Sequence, residues 1–245
     1  FAELDRDGIR ASRWWSETYP HFVGTPRMNV IGKYLSAGVD IVFGTTVAAI
    51  ARSNDRWTLF NAENKELGLF DWLVSTAPAP QTEALAKDFP EVVSLCRGRT
   101  MRGCFALMLG FAKPLELPWQ AAQVRDADIS WVSVNSSKPG RSDAFTLVVH
   151  STNAWADAHI DDEIDGVTGH MMTEASLVTG EDLKDASHCQ LHRWRYANIE
   201  KQTGSSYFVS DDLQLAVCGD WLVRGRIEAA FTSANDLSRK LQERV

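Results

Sequence analysis

Two stretches carry side chains whose types and spacing could do chemistry. In the first, His192, Trp194 and Tyr196 alternate within the strand-like run Ser187 to Tyr196. A strand turns alternate residues to one face, so all three would share it. An imidazole between two aromatic rings can face a flat substrate, and it can equally be a satisfied structural histidine in a core. In the second stretch, the apolar run Leu215 to Cys218 is broken by Gly219-Asp220. After Gly225 the period changes, and Ile227, Ala230, Phe231, Ala234, Leu237 and Leu241 recur at helical spacing. This reads as strand, Gly-Asp turn, loop and helix. A helix N-terminus offers free N–H groups and partial positive charge to an electron-rich ligand. The glycine lets the backbone come close, and the aspartate can accept from a sugar-like hydroxyl. The same pattern also describes a last strand and last helix packing on a sheet.

Other chemistry is thinly represented. His150 and Trp155, then Trp131 and Asn135, are secondary pocket candidates. Cys96, Cys104, Cys189 and Cys218 fit no metal or C-x-x-C spacing, and no metal site is expected. No nucleophile–base pair or paired carboxylates stand out.

The elements that must position these residues follow from periodicity and breakers. Phe1 to Val23 reads as a helical piece and a loop, with Trp14, Trp15, Tyr19 and Phe22 as an aromatic cluster. Thr25-Pro26 predicts a helix with Met28, Ile31 and Leu35 on its apolar face and Gly38 at its end. Val39 to Phe43, Thr46 to Ala51, Trp57 to Asn61, Leu67 to Asp71 and Trp72 to Thr76 predict strands, stopped by Ala77-Pro78-Ala79-Pro80. Short helices follow from Gln81 and Pro90. Strands are predicted at Cys104 to Phe111, Ile129 to Asn135 and Phe145 to His150. A helix after Asp161-Asp162-Glu163 presents Ile164, Val167, Met171 and Leu177 or Val178. Strands with one covering helix suggest a mixed or antiparallel sheet.

Bulk properties exclude several classes. With 245 residues the chain makes one large domain or two small ones. A net charge of −7 without a basic cluster argues against a nucleic-acid partner. No run approaches the ~18 apolar residues of a membrane span, and no signal peptide is visible, so a cytoplasmic protein with free thiols is expected. The chain begins at Phe1 rather than Met, which reads as a truncated reading frame, a processed protein or a trimmed chain.

The residues around Gly219-Asp220-Trp221, continuing through Gly225-Arg226-Ile227-Glu228 to Ser233, closely resemble the C-terminal flavin-binding segment of the flavin-containing amine oxidase superfamily, nearest to its bacterial renalase-like branch. Gly24, Pro26 and Met28 match the family's Gly-x-Pro-x-Met, and His192-Arg193-Trp194 matches its His-Arg/Lys-Trp motif. The resemblance implies an α/β FAD/NAD(P)-binding fold, truncated here, with an α+β substrate domain: a mixed or antiparallel sheet covered by helices. Residues 1–80 and 210–245 would be the remainder of a discontinuous FAD-binding domain, and 81–209 the substrate domain. Val47 would lie by the adenine side of FAD, and Thr76, Ala77 and Pro78 at the cofactor. Gly219 and Asp220 would lie by the ribityl chain, with Arg226, Ile227 and Glu228 near the flavin ring. His192, with Trp194 and Tyr196 on its face, would meet a small-molecule substrate.

The implied activity is a renalase-like FAD-dependent oxidation. Hydride passes from a reduced nicotinamide-type substrate to flavin, with oxygen as final acceptor. Amine oxidation is the alternative. The family's opening strand, G-x-G-x-x-G turn and helix, which holds the FAD pyrophosphate, is absent from this sequence. A non-catalytic fragment unable to hold FAD is therefore a third reading, in which a homo-oligomer covers the sheet edge left by the missing strand. Two departures place methyl groups where the family has glycine: Glu228-Ala229-Ala230 and Ser233-Ala234.

Overall fold

The computed structural model describes residues 1–15 and 21–243; Tyr19 lies outside them. In chain order, β1 (Ala2–Asp5), β2 (Gly8–Ser12), α1 (Val30–Leu35), β3 (Ala49–Ser53), β4 (Arg56–Phe60), β5 (Glu66–Phe70), β6 (Leu73–Ser75), α2 (Ala79–Leu85) and α3 (Pro90–Cys96) come first. Then follow β7 (Arg102–Phe111), β8 (Ala121–Val124), β9 (Ile129–Val134), β10 (Phe145–Ser151), α4 (Asn153–His159), α5 (Ile164–Thr179), β11 (His188–Asn198), β12 (Tyr207–Ser210), β13 (Leu215–Cys218) and α6 (Ile227–Gln242). The chain forms two compact units. One comprises Phe1–Val39 and Arg102–Arg195, the other Asp40–Met101 and Tyr196–Val245. These boundaries differ from the expected divisions at 80 and 210.

The first unit is built on a seven-stranded sheet in the order β11-β7-β10-β9-β8-β1-β2. β1 runs parallel to β8, while β2–β1, β8–β9, β9–β10 and β10–β7 are antiparallel. One face is the core. Phe105, Leu107 and Leu109 of β7, Leu147 and Val149 of β10 and Val132 of β9 are buried there at period two. Val167, Met171, Ala175 and Val178 of α5 belong to the same core at helical spacing. Of the face expected for this helix, Ile164 and Leu177 are exposed instead. Gly180, in the left-handed region at φ 74°, ends α5 by donating its N–H to Ser176 O.

The N-terminal stretch is a hairpin, not the expected helix. Ala2 and Leu4 alternate into the core opposite Ala122 and Val124, which a helix could not do. The Asp5 carboxylate accepts from Asp7 N at 2.8 Å, and Gly8 at φ 113° completes the turn. This places residues 1–39 with the large sheet.

The helix expected from Thr25-Pro26 is shorter, starts at Val30 and buries no residue. The Thr25-Pro26 peptide is cis. The Gly24 and Pro26 carbonyls accept from the Arg141 guanidinium, so they tie this loop to the 139–141 turn instead of opening a helix.

The second unit holds two three-stranded sheets, β12-β13-β6 and the antiparallel β3-β4-β5. Trp57 is fully buried and donates its indole N–H to Leu213 O at 3.0 Å. Trp57, Val92, Leu215, Val217, Trp221 and Leu222 form its main core. The expected strand at Val39 to Phe43 does not form, and Val42 and Phe43 are 77% and 85% exposed. No neighbouring strand pairs with this run among the described residues. A β-propensity without a ladder does not make a strand.

In α6 the buried positions are Ala229, Ser233 and Leu237. Ile227 and Phe231, expected on the packed face, are 65% and 60% exposed. Ser233 explains the rotation: its hydroxyl accepts from Gly219 N at 2.8 Å and donates to Ser206 O at 2.5 Å. That polar link seats the helix on β12 and β13 by its 229–233–237 ridge. Among the described residues no helix is long and apolar enough to cross a membrane.

Candidate functional site

β6 and β13 are parallel, with Leu73 opposite Leu215, Val74 opposite Ala216 and Ser75 opposite Val217. Both strands therefore deliver their carboxyl ends side by side. Thr76-Ala77-Pro78 leaves one and Gly219-Asp220 leaves the other. In open α/β sheets the crevice beyond such ends is where ligands bind. The two loops are bonded together, because Ala77 O accepts from Trp221 Nε1 at 3.0 Å and from Thr82 Oγ1 at 2.9 Å. The Thr82 hydroxyl also meets Ser75 Oγ at 2.8 Å. Pro78 occupies the N-cap position of α2 with extended ψ of 152°. Residues separated by some 140 positions thus share one edge of one sheet.

Gly219 has a packing reason that the sequence reading assigned to ligand approach. A Cβ there would lie 2.8 Å from Trp221 Nε1 and 2.9 Å from its Cδ1. The indole is buried and bonded, so it cannot move aside cheaply. Asp220 opens a 3-10 turn, Asp220–Leu222, and its carbonyl accepts from Val223 N and Arg224 N at 2.9 and 2.7 Å. Burial pushes its carboxyl above the ordinary value, and bonds from backbone N–H groups only partly oppose this. Among the described residues no side-chain cation pairs with it. A half-buried carboxylate without a counter-charge is an acceptor suited to hydroxyl donors.

Arg226 is the N-cap of α6 in extended conformation, with no side-chain cap. Its carbonyl takes the N–H groups of Ala229 and Ala230 at 3.0 and 3.2 Å, which leaves those of Ile227 and Glu228 as the open ones. Arg226, Ile227 and Glu228 are exposed, whereas the methyl group of Ala229 is buried. The Ala229 methyl group therefore packs on the protein side of the helix. Val47 precedes β3 and lines a cavity of about 210 Å³ together with Thr76, Ala77, Ile50, Leu73 and Val217. Asp220 and the start of α6 do not line that cavity.

In the first unit, His192 and Trp194 sit on β11, both exposed, with ring centroids 4.1 Å apart at 58°. Tyr196, on the same strand, belongs to the second unit and is half-buried. Arg193 between them reaches the Phe105 ring at 5.7 Å. His150 and Trp131 are direct cross-strand partners on β10 and β9. The His150 imidazole is held below its ordinary pKa by burial and then by the nearby Lys138 charge. Trp155 is partly buried against the core. It stacks on His170 at 4.7 Å and meets Phe105 edge-on at 5.6 Å in the core. Asn135 accepts from Lys138 Nζ at 3.0 Å.

The sequence reading missed one cluster of polar groups. Asp128, His170 and Glu174 gather within 4.8 Å of one another. His170 Nε2 meets Asp128 Oδ2 at 2.9 Å, and the Arg6 guanidinium donates to both Glu174 oxygens at 2.9 and 2.8 Å. Arg6 already supplies the positive charge that a metal would bring, so the cluster reads as a tie between the β1–β2 turn and α5. His170 and Glu174 are four residues apart on α5, while Asp128 and Arg6 come from two other segments, so spacing along the chain shows only the helical pair.

No protein-family model matches the sequence. Solved structures share the fold. A protein from Exiguobacterium sp. 255-15, provisionally designated a protoporphyrinogen oxidase, matches with a TM-score of 0.67 and 15% identity over 89% of this chain and 51% of its own. A putrescine oxidase bound to putrescine matches at 0.56 and 10% identity over 88% of this chain and 53% of its own. Cyclohexylamine oxidase from Brevibacterium oxydans IH-35A matches at 0.56 and 11% identity over 86% and 53%. The chain spans about half the length of these proteins. At such identities the likeness is one of fold, and it agrees with the α/β and mixed-sheet architecture read from the sequence.

Proposed function

We propose that the chain belongs to an FAD-dependent oxidoreductase of renalase-like type, taking hydride from a reduced nicotinamide-type substrate with oxygen as final acceptor. The observation that carries this reading is the pairing of Thr76-Ala77-Pro78 with Gly219-Asp220 at the carboxyl ends of β6 and β13. The half-buried Asp220 carboxylate fits a ribityl hydroxyl, and the open N–H groups of Ile227 and Glu228 fit an electron-rich ring edge. When bound, FAD would supply the hydride acceptor and its reoxidation by oxygen. The protein's part is to hold and orient both reactants and keep water out, which needs no acid–base residue at the reacting atoms. His192, Trp194 and Tyr196 are the substrate-facing residues in this reading.

Fold likeness to putrescine and cyclohexylamine oxidases favours flavin-dependent amine oxidation as the second reading. Titrating the purified protein with FAD tests both. The expected result is a yellow complex with quenched flavin fluorescence that bleaches under a reduced nicotinamide. Bleaching by amines alone would favour the second reading. A protein left colourless after FAD addition would sink flavin chemistry for this chain and favour the non-catalytic reading.

A second copy of the chain is the proposed cover for β6, an edge strand of its sheet that exposes Val74. Light scattering should then report a dimer that Val74→Lys converts to monomer. A monomer at all concentrations removes this proposal.

A further inference from the structure

The first unit contains a cavity of about 670 Å³ beside β8 and β9, lined among others by Trp15, Gln120, Trp131, Ser133, Ser137 and Lys138. Its volume is that of a small-molecule site. Trp131 and Ser133 alternate along β9, so both stand on the sheet face opposite the Val132 core face. The walls are aromatic. Phe1 lies 5.2 Å from Trp15 and 5.8 Å from Trp131, and Trp15 lies 4.6 Å from His21, centroid to centroid. Trp15 Nε1 donates to Gln120 Oε1 at 3.1 Å, which fixes one indole against β8.

Among the described residues that line this cavity, the side-chain charge has one sign. Lys138 is half-buried and donates to the neutral Asn135 Oδ1, at 3.0 Å. Arg141 next to it donates to the carbonyls of Gly24 and Pro139 at 3.0 and 3.3 Å. Among the described residues no carboxylate lines the cavity, and none pairs with Lys138 or Arg141. Burial first, and then the Arg141 charge, push the Lys138 ammonium below its ordinary pKa. His150, the cross-strand partner of Trp131, lies close enough to feel the Lys138 charge, which adds to burial in lowering its pKa. A half-buried cation of this kind is relieved by an anion from outside.

We propose that this cavity binds a planar ring carrying an acidic group, the ring against Trp131 and the anion on Lys138. Taking this ligand as the substrate of the oxidation rests on the functional reading above; the binding site itself does not. A free ammonium ligand is disfavoured, because it would meet the like charge of Lys138 with no carboxylate among the described lining residues.

The test uses the protein without added flavin, following tryptophan fluorescence and calorimetry. The probes are 2-naphthoate, neutral 2-naphthamide and 2-naphthylmethylammonium. Naphthoate should bind at least about tenfold more tightly than the ammonium probe. Lys138→Met should remove that preference and leave naphthamide binding unchanged, while Lys138→Arg keeps it. Trp131→Leu should weaken all three probes. Ammonium binding as tight as naphthoate, no naphthoate binding up to about millimolar, or an unchanged naphthoate affinity in Lys138→Met would overturn the proposal. Failure here leaves the FAD titration standing, and a failed FAD titration with intact naphthoate binding sinks only the oxidase reading.

Discussion

Replacing Gly225 with alanine should destabilise the second unit more than any other single methyl group added at its glycines. The new Cβ would lie 2.3 Å from Asn198 Oδ1, 2.8 Å from Ile199 N and 2.9 Å from Asn198 Cα. Two of those three are backbone atoms, and the approach is held by Gly225 N donating to Ile199 O at 3.2 Å and by Gln202 N donating to Val223 O at 2.8 Å. Relief therefore requires moving main chain, at a cost of about 1–3 kcal/mol. In a chain of this size that is a fall in melting temperature of roughly 2–4 °C per kcal/mol. The same loop sets the start of α6, so if the proposed flavin site holds, FAD affinity should fall with it. Gly166→Ala is the matched control. A Cβ there meets nothing within 4 Å, and the position is inside α5. Alanine should stabilise by about 0.5–1 kcal/mol. Equal melting temperatures for the two variants would show that the close approach at Gly225 carries no weight.

Asp220→Asn should separate stability from binding. The folded carboxyl has its pKa raised by burial, so at pH values between its unfolded and folded pKa the folded chain holds a proton that the unfolded chain has lost. Stability contributed by this group therefore falls as pH rises through that window, and it is fully recovered below the unfolded value. Asparagine has no charge to bury. The variant should match the parent near about pH 3 and melt higher than the parent near about pH 7. Its FAD affinity should nevertheless drop about tenfold, because a charged acceptor becomes a neutral one. A variant that melts lower at neutral pH would show that the carboxylate is a net structural asset. Unchanged FAD affinity would remove Asp220 from the proposed site.

Much of the architecture follows from local pattern. The β7, β9, β10 and β13 runs, the Pro90 helix start and the α5 and α6 helices are legible because period and breakers are intrinsic to short segments. The Gly219-Asp220 turn was legible for the same reason. What a run packs against is not a local property. Ala2 and Leu4 became strand residues because β8 offers a parallel partner 120 residues away. Val39 to Phe43 had strand propensity and no partner, and stayed irregular. The buried ridge of α6 was decided by the Ser233 hydroxyl bridging Gly219 and Ser206, which outweighed the apolar count on the other face.

The candidate site divides in the same way. By itself the sequence pointed to residues that could meet a ligand: Gly219 and Asp220 by their types and their place after a strand, and Thr76, Ala77 and Pro78 through the resemblance to a flavin-binding segment. Only the tertiary structure decided that those two loops are neighbours, through the parallel register of β6 and β13 and the Trp221 bond to Ala77. It also decided that Gly219 makes room for an indole, and that Lys138 has no carboxylate partner among the described residues. Register, close approach and missing counter-charges are properties of distant residues brought together, and spacing along one chain does not encode them.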